Sequence, residues 1–153
     1  MGANVVHVRR IRDRYIEGTT LRLREMLDDG CPARFKLTQK LPARASGAQQ
    51  GMITSMYLSE SEFRMLAELP AKTLCKTRHS LPPFGIDVFE GTARGLILAE
   101  AEFDSAFEAD ALAVPSFIVR EVSDNDRFTG GQLARTSRPE LAAALLDYGI
   151  RLL

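Results

Sequence analysis

The sequence predicts an all-β-dominated (α+β) domain: an eight-stranded antiparallel closed β-barrel with a few short helices and a C-terminal helix. Three observations carry this. Apolar and polar residues alternate with period two over the first two thirds of the 153 residues, the pattern of strands that bury one face. Turn signals break the runs at Glu17-Gly18-Thr19-Thr20, Asp28-Asp29-Gly30, the polar stretch 44–51, Pro82-Pro83 and Gly91. The runs left between them are 5–16, 19–27, 33–41, 52–58, 72–81, 84–90, 94–103 and 117–124, and about eight strands is the size at which a closed barrel encloses side chains or one small ligand.

Helical segments interrupt this pattern. Ser59 followed by Glu62 is a capping box ahead of Phe63, Leu66 and Leu69, which predicts a helix over 59–69. A shorter helix is expected over 104–112. Ser137-Arg138-Pro139-Glu140 is a second capping box with proline in the first turn, and Leu141, Leu145, Tyr148 and Leu152 follow at helical spacing. The barrel is expected to occupy 1–136, with the helix of 137–153 packed on it as part of the same domain. Gly130-Gly131 is read as a turn into a short helix rather than a phosphate loop, because a glycine pair lacks the longer Gly-rich signature.

Composition narrows the function. A 45% hydrophobic content supports one core without staples. Twenty basic and twenty acidic residues give zero formal charge, so no long-range field drives the chain onto nucleic acid or an anionic membrane, and an anion site must be made locally. No stretch approaches the ~18 apolar residues of a membrane span, and the N-terminus has no apolar run before its charges; a cytoplasmic protein is expected. Cys31 and Cys75 have no metal or redox spacing and are expected to be reduced thiols.

The chemistry lies in a recurring spacing of two, since residues i and i+2 of a strand project to one face. Arg22 and Arg24 oppose Leu21 and Leu23; Lys36, Thr38 and Lys40 oppose Phe35 and Leu37; Lys76 and Arg78 share a parity opposite to Cys75. Glu100 and Glu102 repeat the spacing in a strand otherwise made of Leu, Ile, Ala and Phe. A wet outer face mixes signs within a strand, whereas here three strands are purely basic at the paired positions and one purely acidic. That segregation suits a polyanion held by Arg and Lys, with carboxylates for divalent cations beside it. Glu121 could complete the acidic cluster. His7 and His79 have no nearby acid and nucleophile in a recognisable arrangement and are set aside as bases.

In order and spacing, these stretches resemble the CYTH domain, the triphosphate tunnel metalloenzyme superfamily. They are Leu21-Arg22-Leu23-Arg24, Lys36-Leu37-Thr38-Gln39-Lys40, Lys76-Thr77-Arg78, Asp87-Val88-Phe89-Glu90-Gly91, the run from Gly95 to Phe103, and that from Glu121 to Phe128. The resemblance implies an eight-stranded tunnel barrel, often a homodimer, acting as a divalent-metal-dependent hydrolase of inorganic, nucleoside or other organic triphosphates. It implies Arg22, Arg24, Lys36, Lys40, Lys76, Arg78 and Arg127 as phosphate ligands. It also implies Glu100, Glu102 and Glu121 as the catalytic carboxylates, holding Mg or Mn. A non-catalytic module binding polyphosphate or a phosphorylated ligand is the alternative, and class IV adenylate cyclase-like activity a lesser one. The family's N-terminal Glu-x-Glu-x-Lys strand has no counterpart in Met1 to Arg10, and the run 51–58 lacks alternating glutamates. Six cations facing three acids would leave the tunnel positive, which favours anion binding over metal catalysis.

Overall fold

The computed structural model describes residues 7–41 and 51–152. Seven antiparallel strands form one sheet: β1 His7–Ile16, β2 Leu21–Asp28, β3 Arg34–Lys40, β4 Ile53–Leu58, β5 Ala71–Leu81, β6 Phe84–Phe89 and β7 Ile97–Ala101. Their order is β4-β3-β2-β1-β5-β6-β7. β1 is the centre; one meander runs outward through β2, β3 and β4, and the other through β5, β6 and β7. Short connections suffice for this, such as the turn at Gly18, whose φ of 72° only glycine adopts without cost.

The eighth expected strand is corrected by the structure. Residues 117–124 are turns and irregular chain, although Phe117-Ile118-Val119 is a β-prone run. Its backbone bonds go to local turns: the Ile118 N–H donates to the Pro115 carbonyl at 3.0 Å, and the Asn125 N–H to that of Val122 at 3.0 Å. Among the described residues no ladder joins β4 to β7, the two ends of the sheet.

The register sorts side chains onto two faces. Leu23, paired with Leu37 and Arg14, packs with Phe35 and Phe63 in an apolar cluster under helix α1, Glu60–Leu66. The Phe35 and Phe63 rings lie 4.5 Å apart. The Ser59 and Glu62 capping box forms as expected, and Arg14 donates to the Ala67 and Leu69 carbonyls at 2.7 and 3.2 Å, closing the end of that helical segment.

The other face carries the charges and, at one end, a larger core. Leu74, Phe89 and Leu98 share it with Lys76 and Asp87 and pack against Phe128, Leu133, Leu141, Ala144 and Leu145. Helix α2 is Ala106–Asp110, α3 Gly130–Leu133 and α4 Arg138–Leu146. Burial of Leu141 and Leu145, 2% and 6% exposed, contributes ~1.5–3 kcal/mol each and holds α4 over that end of the face. Gly130 allows the approach of α3: a Cβ there would meet the Tyr15 hydroxyl at 2.1 Å. Neither Cys31 nor Cys75 forms a disulfide, and among the described residues no helix is long and apolar enough to cross a membrane.

Candidate functional site

The strand register brings all six of the paired cations to one face. Arg22 pairs with Thr38 and Arg24 with Lys36 across β2 and β3; Tyr15 and Asp13 of β1 pair with the same two arginines. On the other side of β1, Ile11 pairs with Lys76 and Arg9 with Arg78. Arg78 in turn faces Asp87, and Gly85 faces Glu100. Lys40 pairs with Ile53 at the rim. Cys75 pairs with Arg12 on the opposite face, as its parity requires, and burial followed by the Glu90 charge pushes its thiol pKa up.

Two buried aspartates organise this face, and neither was singled out by the spacing argument. Asp13, 1% exposed, accepts from Arg24 Nε at 2.6 Å and Nη2 at 2.8 Å, a bidentate pair. Arg22 Nε stands 3.8 Å from the same carboxylate, buried and without a hydrogen-bond partner. Asp87, fully buried, accepts from Lys76 Nζ at 2.5 Å and from Arg78 Nε and Nη2, each at 2.6 Å. Burial alone would raise the Asp87 carboxyl, but the hydrogen bond from Arg78 and the charge of Lys76 outweigh it and hold it below the usual range. The Lys76 ammonium also lies 5.4 Å from the Phe89 ring centroid, within cation–π reach.

Glu100 joins the second cluster from the edge. Its carboxylate accepts a hydrogen bond from Arg78 and lies 3.9 Å from Lys76 Nζ, with half its side chain exposed. The Asp87 hydrogen bond lifts Arg78 above the ordinary guanidinium value against the effect of burial, and Glu100 adds to the lift. Burial works to lower Arg24, Asp13 raises it on balance, and the charge of Arg78 opposes that rise; the register through β1 puts the β2 and β5 cations on one face. Burial and then Asp13 push the Tyr15 phenol up to about 12. A third cluster closes the far end: Asp28 accepts from Arg9 at 2.6 Å and from Arg34 at 2.8 Å, with His7 Nε2 3.2 Å away.

The charge balance keeps the expected total of six cations against three acids, but Asp13 and Asp87 stand in place of Glu102 and Glu121, and the excess is unevenly spread. Arg22, Arg24, Lys36 and Lys40 face the single Asp13, an excess of three; Lys76 and Arg78 face Asp87 and Glu100, an excess of none. Among the described residues, Lys36 and Lys40 form no ion pair or side-chain hydrogen bond. Beside them, Thr38 and Ser55 share a hydroxyl hydrogen bond of 2.9 Å.

Two expected groups lie elsewhere. Arg127 is engaged by Asp147, to which its Nη1 donates at 2.7 Å, and by Asn125. Glu121 accepts from Ser123 at 3.0 Å and lines a separate open cleft of about 320 Å³ with Asn125 and Tyr148. Glu102 lies past the end of β7, exposed. Glu100, Glu102 and Glu121 thus do not gather: among the described residues no group of three or more His, Cys, Asp or Glu could hold a metal ion. Among the described residues the side chains do not fit a resident Mg or Mn, because the carboxylates do not gather and Glu100 is committed to Arg78 and Lys76.

No family model matches the chain, and no curated protein matches its sequence. Solved structures do. The crystal structure of the hypothetical protein NE1496 is 25% identical, with a TM-score of 0.58, over 90% of this chain and 92% of that one. The crystal structure of the inorganic triphosphatase NE1496 is 24% identical, with a TM-score of 0.57, over 89% and 88%. With the ordered motifs from Leu21 to Phe128 and a match over nine-tenths of its length, the chain is CYTH-like in fold.

Proposed function

We propose that the charged face holds a triphosphate and supports its hydrolysis. The observation that carries this is the uncompensated group on β2 and β3, Arg22, Lys36 and Lys40, facing the same space as Lys76 and Arg78. The fold shared with an inorganic triphosphatase supports the choice of anion. Phosphoryl transfer spreads charge over the phosphate oxygens and asks little covalent chemistry of the protein. Cations fixed by buried aspartates supply electrostatic stabilisation without reorganising. Arg24 is such a fixed donor, whereas Lys36 and Lys40 are free to follow the ligand. Inorganic triphosphate is the simplest substrate for this face, which offers cations and hydroxyls.

Mg or Mn enters the proposal as part of the substrate, carried on the phosphate oxygens, as Mg usually is. Glu100 and Glu102 are the carboxylates offered to that complex; Arg127 and Glu121 have no part in it. Phosphate release from tripolyphosphate with Mg or Mn is expected, reduced at least tenfold by Lys36→Ala and by Glu102→Gln. Absence of release from every triphosphate tried would exclude the hydrolase.

The lack of a carboxylate cluster favours one other reading, a module that binds polyphosphate without turnover. Thermal stabilisation by tripolyphosphate in EDTA, without phosphate release when Mg or Mn is restored, is its signature.

A further inference from the structure

Asp87 and Glu100 both answer the cations of β5, but they are held differently. Asp87 is fully buried and accepts three hydrogen bonds, two from Arg78 and one from Lys76. Removing it would leave the buried Lys76 with only the half-exposed Glu100 at 3.9 Å and strip two of the three carboxylate hydrogen bonds from Arg78, so it is part of the fold. Glu100 is half exposed, comes from the edge strand β7, and accepts one hydrogen bond, from Arg78. Arg78 reaches it by crossing Gly85: a Cβ at that position would lie 3.1 Å from the Arg78 Cδ and Nε. The missing side chain at Gly85 leaves the guanidinium room to present its outer edge beyond Asp87.

An exposed carboxylate on an arginine edge offers two negative oxygens in the geometry a phosphate would offer. We infer that Glu100 is a displaceable internal competitor, occupying the outer edge of Arg78 until the anion takes its place, while Asp87 stays. This rests on the triphosphate reading of the face. A ligand first meets Arg22, Lys36 and Lys40, which have no comparable occupant, and gains the Nη2 donor of Arg78 by displacing Glu100. Glu100 therefore opposes binding of the bare anion, the reverse of what a carboxylate that only recruits metal would do.

The test is tripolyphosphate affinity in EDTA, by calorimetry on the full chain, with melting temperature as a check on folding. Glu100→Gln is expected to bind about two- to fivefold tighter than the native protein, the equivalent of one exposed ion pair released. Glu68→Gln removes the same charge from an exposed position after α1 and is expected to change nothing. Equal or weaker binding by Glu100→Gln overturns the inference, as does an equal gain in Glu68→Gln, which would reduce it to net charge. If the native protein binds no tripolyphosphate, the triphosphate reading fails, and the inference falls with it.

Discussion

On the β5 to β7 side of the charged face, Lys76 and Arg78 are neutralised by Asp87 and Glu100; on the β2 and β3 side, Arg22, Arg24, Lys36 and Lys40 have, among the described residues, one facing carboxylate, Asp13, which pairs with the two arginines. Both sides come from the same i, i+2 arrangement of Arg and Lys. They differ at the lysines, since Arg24 and Arg78 each hold a buried aspartate. Lys76 is 6% exposed, and a cation so deep must have its partner within the fold. Lys36 and Lys40 sit nearer the edge, where water supports an unpaired charge. The β5 cations and Arg24 are thus built into stability, and Lys36 and Lys40 stay open on the proposed ligand side.

The largest effect expected from this contrast is at Asp87. Asp87→Asn keeps the shape but takes the buried anion from Lys76 and Arg78, leaving them only the half-exposed Glu100, and should cost about 3–5 kcal/mol, the range for breaking a buried pair. For a domain of this size that lowers the melting temperature by roughly 6–20 °C. The same carboxylate gives a pH signature. Its folded pKa is depressed, so its stabilisation is fully present above the unfolded carboxyl value near 4 and is lost as pH falls through the lower folded value. Acid unfolding of the native protein should steepen below about pH 4, and the Asn variant should lack that component. A variant as stable as the native protein would place the strength of this side elsewhere.

Lys36→Ala probes the open side and should do the reverse. With no partner to orphan among the described residues, its melting temperature should stay within the equivalent of ~0.5 kcal/mol. Tripolyphosphate affinity should fall about tenfold or more, because a hydrogen bond to a charged group is worth ~1.5–3 kcal/mol. A stability loss matching that of Asp87→Asn would erase the contrast.

The sequence made the open side more legible than the closed one. Strand parity grouped Arg22 with Arg24, Lys36 with Lys40, Lys76 with Arg78 and Glu100 with Glu102, because period two is geometric and survives any error in strand ends; the segregation of sign and the family resemblance joined the strands into one face. Asp13 escaped notice because it sits in Arg9-Arg10-Ile11-Arg12-Asp13-Arg14, where both parities carry charge. Its signal was a parity shared with Ile11 and Tyr15. Asp87 was visible as the single acid within Phe84-Gly85-Ile86-Asp87-Val88-Phe89, a position where an acid needs a buried partner. The missing eighth strand is a different failure: β-branched composition is a weak prior that tertiary packing overrides. Here Val122 packs on the C-terminal core, and the chain around it turns. Glu121 and Arg127 moved away from the site with that segment.

Gly85 offers the finest adjustment of the comparison. A methyl at this position must displace Arg78 by a few tenths of an ångström, while replacing a strand glycine regains ~0.5–1 kcal/mol of chain entropy. The Arg78 side chain is flexible, so Gly85→Ala should change stability by less than about 1 kcal/mol. Its effect belongs to the outer edge of Arg78, where Glu100 binds, because Asp87 grips the guanidinium from the buried side. Adding Glu100→Gln to Gly85→Ala should therefore tighten tripolyphosphate binding less than adding it to the native chain, a coupling that a double-mutant cycle reads directly. Equal gains in both backgrounds would mean that Gly85 plays no part in presenting Arg78. A loss above about 2 kcal/mol in Gly85→Ala alone would mean that Arg78 is as rigidly built into the fold as Lys76, and that the line between structural and ligand-facing cations runs on its far side.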